Sequence, residues 1–173
     1  MFTLISKLVH RWRENRLMFK TKGKGLKILG FPIYCFNHNV SIGENVTLYP
    51  NISFLGEGNI VIRDNVKIGN NVIIYASKGS SIEIGCKTII AANSYIIDCN
   101  HNIMKSRYIQ EQGLSSAPIK IGTDVWIGAS CIIAKGAYIS DGVVIGANSF
   151  VNTLIPEYSI AVGNPAKVIK IRE

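Results

Sequence analysis

Histidine can take a proton from a hydroxyl near neutral pH without special tuning, and this chain contains three of them. His10 lies in the N-terminal segment, and His38 precedes the regular part of the sequence. His101 stands apart because it ends the run Ile96-Ile97-Asp98-Cys99-Asn100-His101, directly before a polar stretch where the surrounding pattern breaks. Long loops on rigid scaffolds commonly form active-site walls, so His101 is the candidate general base. Asp98 either orients its imidazole or solvates a corner. Asn100 either contacts an acceptor or satisfies loop backbone. Trp126, in an outward position after the pattern resumes, is a ring that packs on a substrate or on another subunit.

The pattern that positions these residues has a period of six. A branched aliphatic or Phe recurs at Ile42, Leu48 and Phe54, at Ile62, Ile68 and Ile74, and at Ile84, Ile90 and Ile96. After the break it continues through Ile121, Ile127, Ile133, Ile139, Ile145 and Val151. The second residue of the hexad is Gly at 43, 69, 85, 122, 128 and 146 and Ala at 91 and 134, which we read as a corner requirement for backbone freedom. The fifth residue is small or branched, as at Val46, Val66, Thr88, Ser94, Cys131 and Ser149. With side chains alternating along a strand, fifth and first residues point inward and the sixth points out. A six-residue unit cannot bury its own apolar side chain, so successive units must stack into a solenoid. Three hexads per turn give five turns: 42 to 59, 62 to 79, 84 to 101, 121 to 138 and 139 to 156. On one face the outward residues are Ser53, Ile73, Tyr95, Ile132 and Phe150, an apolar stripe that is expected to pack against another subunit.

Length and composition allow one domain: 173 residues with 47% hydrophobic content. The net charge of +8 is concentrated at the front. Lys7, Arg11, Arg13, Arg16, Lys20, Lys22, Lys24 and Lys27 stand against Glu14 alone, a balance of +7 that leaves only +1 for the other residues. A nearly neutral body argues against a nucleic-acid face. Residues 1–30 form a basic amphipathic segment, with Phe2, Ile5, Val9 and Trp12 on one helical face. Such a helix packs on its own protein or rests on a membrane surface through residues 2–20. Basic residues interrupt this segment before a signal-peptide core or membrane span can form, and the four cysteines lack CxxC spacing. A reduced, cytoplasmic chain without a metal site is expected, with the inner face of a membrane as a candidate contact.

The stretches Ile121-Gly122-Thr123-Asp124-Val125-Trp126-Ile127-Gly128-Ala129 and Gly163-Asn164-Pro165-Ala166-Lys167-Val168-Ile169 resemble the hexapeptide-repeat acetyltransferases, with the likeness covering residues 33 to 173. The resemblance implies an all-β fold, a left-handed parallel β-helix in residues 31–173, assembled as a homotrimer. A loop at 102–120 projects from it, and a C-terminal extension occupies 157–173. It implies acetyl-CoA as cosubstrate, with main chain around Ala129 and Ala147, together with Asn152 and Lys167, as the coenzyme site. Lys135 is a further candidate. It matches His101 before the projecting loop and Trp126 after it, and so implies direct transfer to a sugar or glycan hydroxyl. Backbone N–H groups at Gly128-Ala129 are candidate donors to the oxyanion. Cys99 as nucleophile is not needed, because a ternary complex forms no acyl-enzyme, and Cys131 reads as core.

Other functions on such a fold make different demands. A zinc carbonic anhydrase needs several histidines between turns, and a nucleotidyltransferase needs a further domain. A noncatalytic trimeric scaffold, or an acyltransferase for an amino sugar or serine, remains compatible with the residues.

Overall fold

Ile, Val and Leu at every sixth position favour extended backbone and pack well on a pleated surface. In the computed structural model, which describes residues 19–173, they do so in strands of two to five residues. The strands form three sheets of seven, eight and six members, parallel except for the last strand of the eight-membered sheet, as the faces of a prism. One coil illustrates the path: Ser81–Ile84 lies in the seven-stranded sheet, Ile89–Ile90 in the eight-stranded sheet and Tyr95–Ile97 in the six-stranded sheet. Every first-position residue of the repeat is buried, from Ile42 to Val151, and so are the fifth positions. Ile62, Ile84, Ile121 and Ile139 are consecutive partners in one column. Each such side chain contributes about 1.5–3 kcal/mol on leaving water. The polar fifth residues hydrogen-bond corner carbonyls instead of water: Thr88 Oγ1 donates to Gly122 O at 2.8 Å and Ser149 Oγ to Gly146 O at 2.6 Å.

The solenoid is longer than the repeat register indicates. It has about seven levels instead of five, because Thr21–Lys22 and Lys27–Ile28 pair in parallel with the next coil's Ser41–Ile42 and Thr47–Leu48. The first coil therefore begins inside the stretch assigned to a separate N-terminal segment. Lys22 occupies the column where later coils place Ile42 and Ile62, and as the end of the stack it is exposed. At the other end Ser159–Val162 continues the parallel sheet, and Lys167–Ile171 folds back on it antiparallel. The amphipathic helix expected over 2–19 lies outside the described residues except for Phe19. No helix among the described residues is long and apolar enough to cross a membrane.

The corner glycines serve a different purpose from the one expected. The left-handed backbone sits at the fourth hexad position, in Asn45, Asn65, Asn71, Lys87, Asn93, Asp124, Ser130 and Asn148. Asn is the residue after Gly that tolerates it best. The second-position glycines lack this conformation and are small because coils touch there: a Cβ on Gly128 would lie 2.6 Å from Ala147 N.

Insertions gather on one edge, where the six-stranded face gives way to the seven-stranded face. Ile133 to Ile139 spans six residues, but Phe54 to Ile62 spans eight, Ile74 to Ile84 ten and Ile96 to Ile121 twenty-five. The other two edges keep the six-residue step from Ile42 to Val151. His101 lies within the longest insertion.

Candidate active site

The insertion is a hairpin. Cys99–His101 pairs antiparallel with Leu114–Ser116, placing His101 opposite Leu114 and Asn100 opposite Ser115. His101 therefore sits on a projecting strand and not at the sixth position of a prism face. The tip is tied internally: Met104 N donates to Gln112 Oε1 at 2.6 Å, and Gln112 Nε2 donates to the carbonyls of Met104 and Arg107, each at 2.9 Å. Asn102 closes the neck, donating through N to Gly113 O at 3.0 Å and through Nδ2 to Gln112 O at 3.1 Å. Lys135, from the next coil, donates to Ser115 Oγ at 2.9 Å and props the returning strand.

His101 is exposed and lines two clefts. One, of 370 Å³, lies between the hairpin and the prism and includes Tyr75, Ile97, Asn100, Gln110 and Leu114. The other, of 640 Å³, lies toward the tip with Arg107, Tyr108, Ile109 and Gln110. Asn100 is exposed beside the imidazole and shares the first cleft with it.

Asp98 does not orient His101. It is fully buried, and its Oδ1 accepts the Ser77 N–H at 2.8 Å, while Oδ2 has no partner. Its backbone also joins coils, receiving Ala117 N–H at 3.0 Å. Burial, and then the nearby Asp98 carboxylate, push the Cys99 thiol above its ordinary value. Burial does the same to Cys131, which rests in the core with Sγ 3.2 Å from Gly146 O. Neither thiol is set up as a nucleophile.

The remaining candidates lie elsewhere on the prism. Trp126 is 55% exposed on the eight-stranded sheet, between Ile89 and Val144. That is the face opposite the edge carrying His101, so one chain does not bring the two together. Ala129 and Ala147 occupy the same corner in successive coils, linked by Asn148 N–H to Ala129 O at 2.9 Å. The Gly128 N–H is taken by Ile145 O and is no oxyanion donor, whereas the N–H groups of Ala129 and Ala147 have no hydrogen-bond partner among the described residues. Asn152 is exposed on the insertion edge, and Lys167 is exposed in the terminal strand. Gln110 and Gln112 read from the sequence only as members of the polar loop, and Tyr75 carries no signal beyond the lengthened step after Ile74.

Residues 118–153 match the family model for the bacterial transferase hexapeptide (six repeats), and residues 39–76 that for the hexapeptide repeat of succinyl-transferase. The chain is 34% identical over 158 residues to a putative lipopolysaccharide biosynthesis O-acetyl transferase of Escherichia coli, covering 85% of this chain and 80% of the relative. It is 35% identical over 155 residues to a probable acetyltransferase of Mycobacterium tuberculosis, covering 87% of this chain but only 49% of that relative. An N-acyltransferase from Bacillus cereus, solved with dTDP and 3-hydroxybutyryl-CoA, superposes with a TM-score of 0.81 at 22% identity, covering 94% of this chain and 88% of the other.

Proposed function

The chain belongs to the hexapeptide-repeat acetyltransferases, and from that membership we propose that it transfers an acetyl group from acetyl-CoA to a sugar hydroxyl, with His101 as general base. The observation that carries this reading is the placement of the imidazole: exposed on a braced hairpin, lining two clefts, with Asn100 beside it. A ring nitrogen of His101 takes the hydroxyl proton as the oxygen attacks the thioester carbonyl. The tetrahedral intermediate then collapses, the ester forms, the C–S bond breaks, and the proton passes to the departing thiolate. The uncommitted N–H groups of Ala129 and Ala147, stacked one coil apart, suit an extended ligand with amide groups along its length. Lys167 is the cation offered to its phosphates.

A site that includes Trp126 draws it from a second copy of the chain, because Trp126 and His101 occupy opposite sides of one prism. This supports a homotrimer, with the stripe of Ile73, Tyr95, Ile132 and Phe150 as the contact. Of these, Ile73 and Ile132 are 36% and 42% exposed in the single chain.

The test is turnover of acetyl-CoA against a panel of sugars, following thiol release and product mass. His101→Ala should lower kcat by roughly 10²–10⁴-fold with folding unchanged by circular dichroism. An equal rate in the variant refutes the base. Alkali-labile product identifies an ester, and an alkali-stable one shows transfer to nitrogen, as in the Bacillus cereus relative.

A further inference from the structure

Charge in the two clefts that hold His101 is one-sided. Among the described residues no carboxylate lines either cleft that holds the imidazole, and Asp98 is turned into the interior toward the Ser77 N–H. Arg107 does line the larger one, and it has no acidic partner: the ion pairs among the described residues are Arg63–Glu83, Lys78–Glu57 and Arg172–Asp124. Lys105 is also unpaired and shares an adjoining cleft with Arg107 and Glu111, the acid lying beyond ion-pair distance of both cations. The backbone beneath Arg107 is fixed by the Gln112 side chain, and the Tyr108 ring beside it is 77% exposed. A guanidinium fork matches the paired oxygens of a carboxylate or phosphate, and an exposed Tyr offers an apolar face with a polar tip.

We propose that the acceptor is an anionic sugar, whose carboxylate or phosphate is held by Arg107 while His101 takes the proton from its hydroxyl. This rests on the transferase reading above and names the substrate class for that site. Lys105 adds a second positive charge on the same side, so neutral sugars are poor acceptors.

The test measures binding to the full-length protein in the presence of coenzyme A. Probes are the neutral sugar, the uronic acid and the 1-phosphate in the gluco and galacto series, with wild type, Arg107→Ala and Arg107→Lys. The expected result is that one anionic form in at least one series binds about tenfold or more tightly than its neutral counterpart. Arg107→Ala abolishes that preference, Arg107→Lys keeps part of it, and the Kd for coenzyme A does not change. A uronate preference identifies a carboxylate, and a 1-phosphate preference identifies a phosphate. Equal binding of all forms in both series overturns the proposal, as does a preference that survives Arg107→Ala. A raised Kd for coenzyme A with unchanged acceptor binding assigns Arg107 to the coenzyme phosphates, and overturns it too. Because binding is read without turnover, selectivity without transfer refutes the transferase reading alone, while transfer without selectivity refutes the acceptor class alone.

Discussion

Asp98 and His101 stand three residues apart and face opposite ways, one fully buried and one exposed. The sequence shows both as polar residues at a break in the repeat, and spacing alone cannot say which turns inward. The difference is made by the Ser77 N–H of the preceding coil, which takes the carboxylate. The position of His101 beside a projecting loop is legible because elimination leaves one histidine at the break in the repeat, whereas Arg107 and Gln112 resemble any polar loop residues. The buried thiols give a prediction at this scale. Burial raises Cys99 and Cys131, so near neutral pH both should react slowly with iodoacetamide in the folded protein. A raised thiol contributes stability that is present below its unfolded value and lost as pH rises through the folded one. Urea midpoints should therefore fall in the alkaline range, above about pH 8.5, and fall less for Cys131→Ala. Rapid labelling of either thiol at neutral pH would contradict the placement.

Among the elements, the inward columns are readable from Ile42 to Val151 because a period of six leaves no ambiguity about which residues are buried there. The first coil escaped because Lys22 interrupts its column, and the hairpin because Cys-Asn-His and Leu-Ser-Ser carry no strand pattern. The corner glycines stand out in the sequence, but close coil packing and not backbone freedom selects them, and two substitutions separate these causes. Gly79 has φ of +78° with open space where its Cβ would be, whereas Gly128 has ordinary φ and a crowded one. Gly79→Asn should be nearly neutral. Gly128→Asn should cost at least the roughly 1–3 kcal/mol typical of overpacking and lower the thermal midpoint. If the two variants melt alike, close coil packing is not what selects the second-position glycine.

For the whole molecule, the placement of His101 and Trp126 on opposite sides of the prism gives the proposed trimer a specific signature. If His101 of one subunit works with Trp126 of the next, His101→Ala and Trp126→Ala should each be nearly inactive alone. Subunits unfolded together in equal amounts and refolded should recover activity, because about a quarter of the sites then carry both native residues in a cyclic assembly. No recovery, with trimers seen by sedimentation, would place Trp126 outside the site. Between Ile42 and Val151, the confinement of insertions to one edge also bears on what the chain can accept. Adding a residue inside a strand of any of the three faces would exchange inside for outside for every side chain until the next corner. At the turn around Gly79 or the hairpin tip, added sequence only lengthens an excursion that the ladder already ignores. This scaffold can therefore take a grafted loop, an epitope or a new acceptor pocket along that single seam, beside the existing imidazole, without the stacked core registering the change.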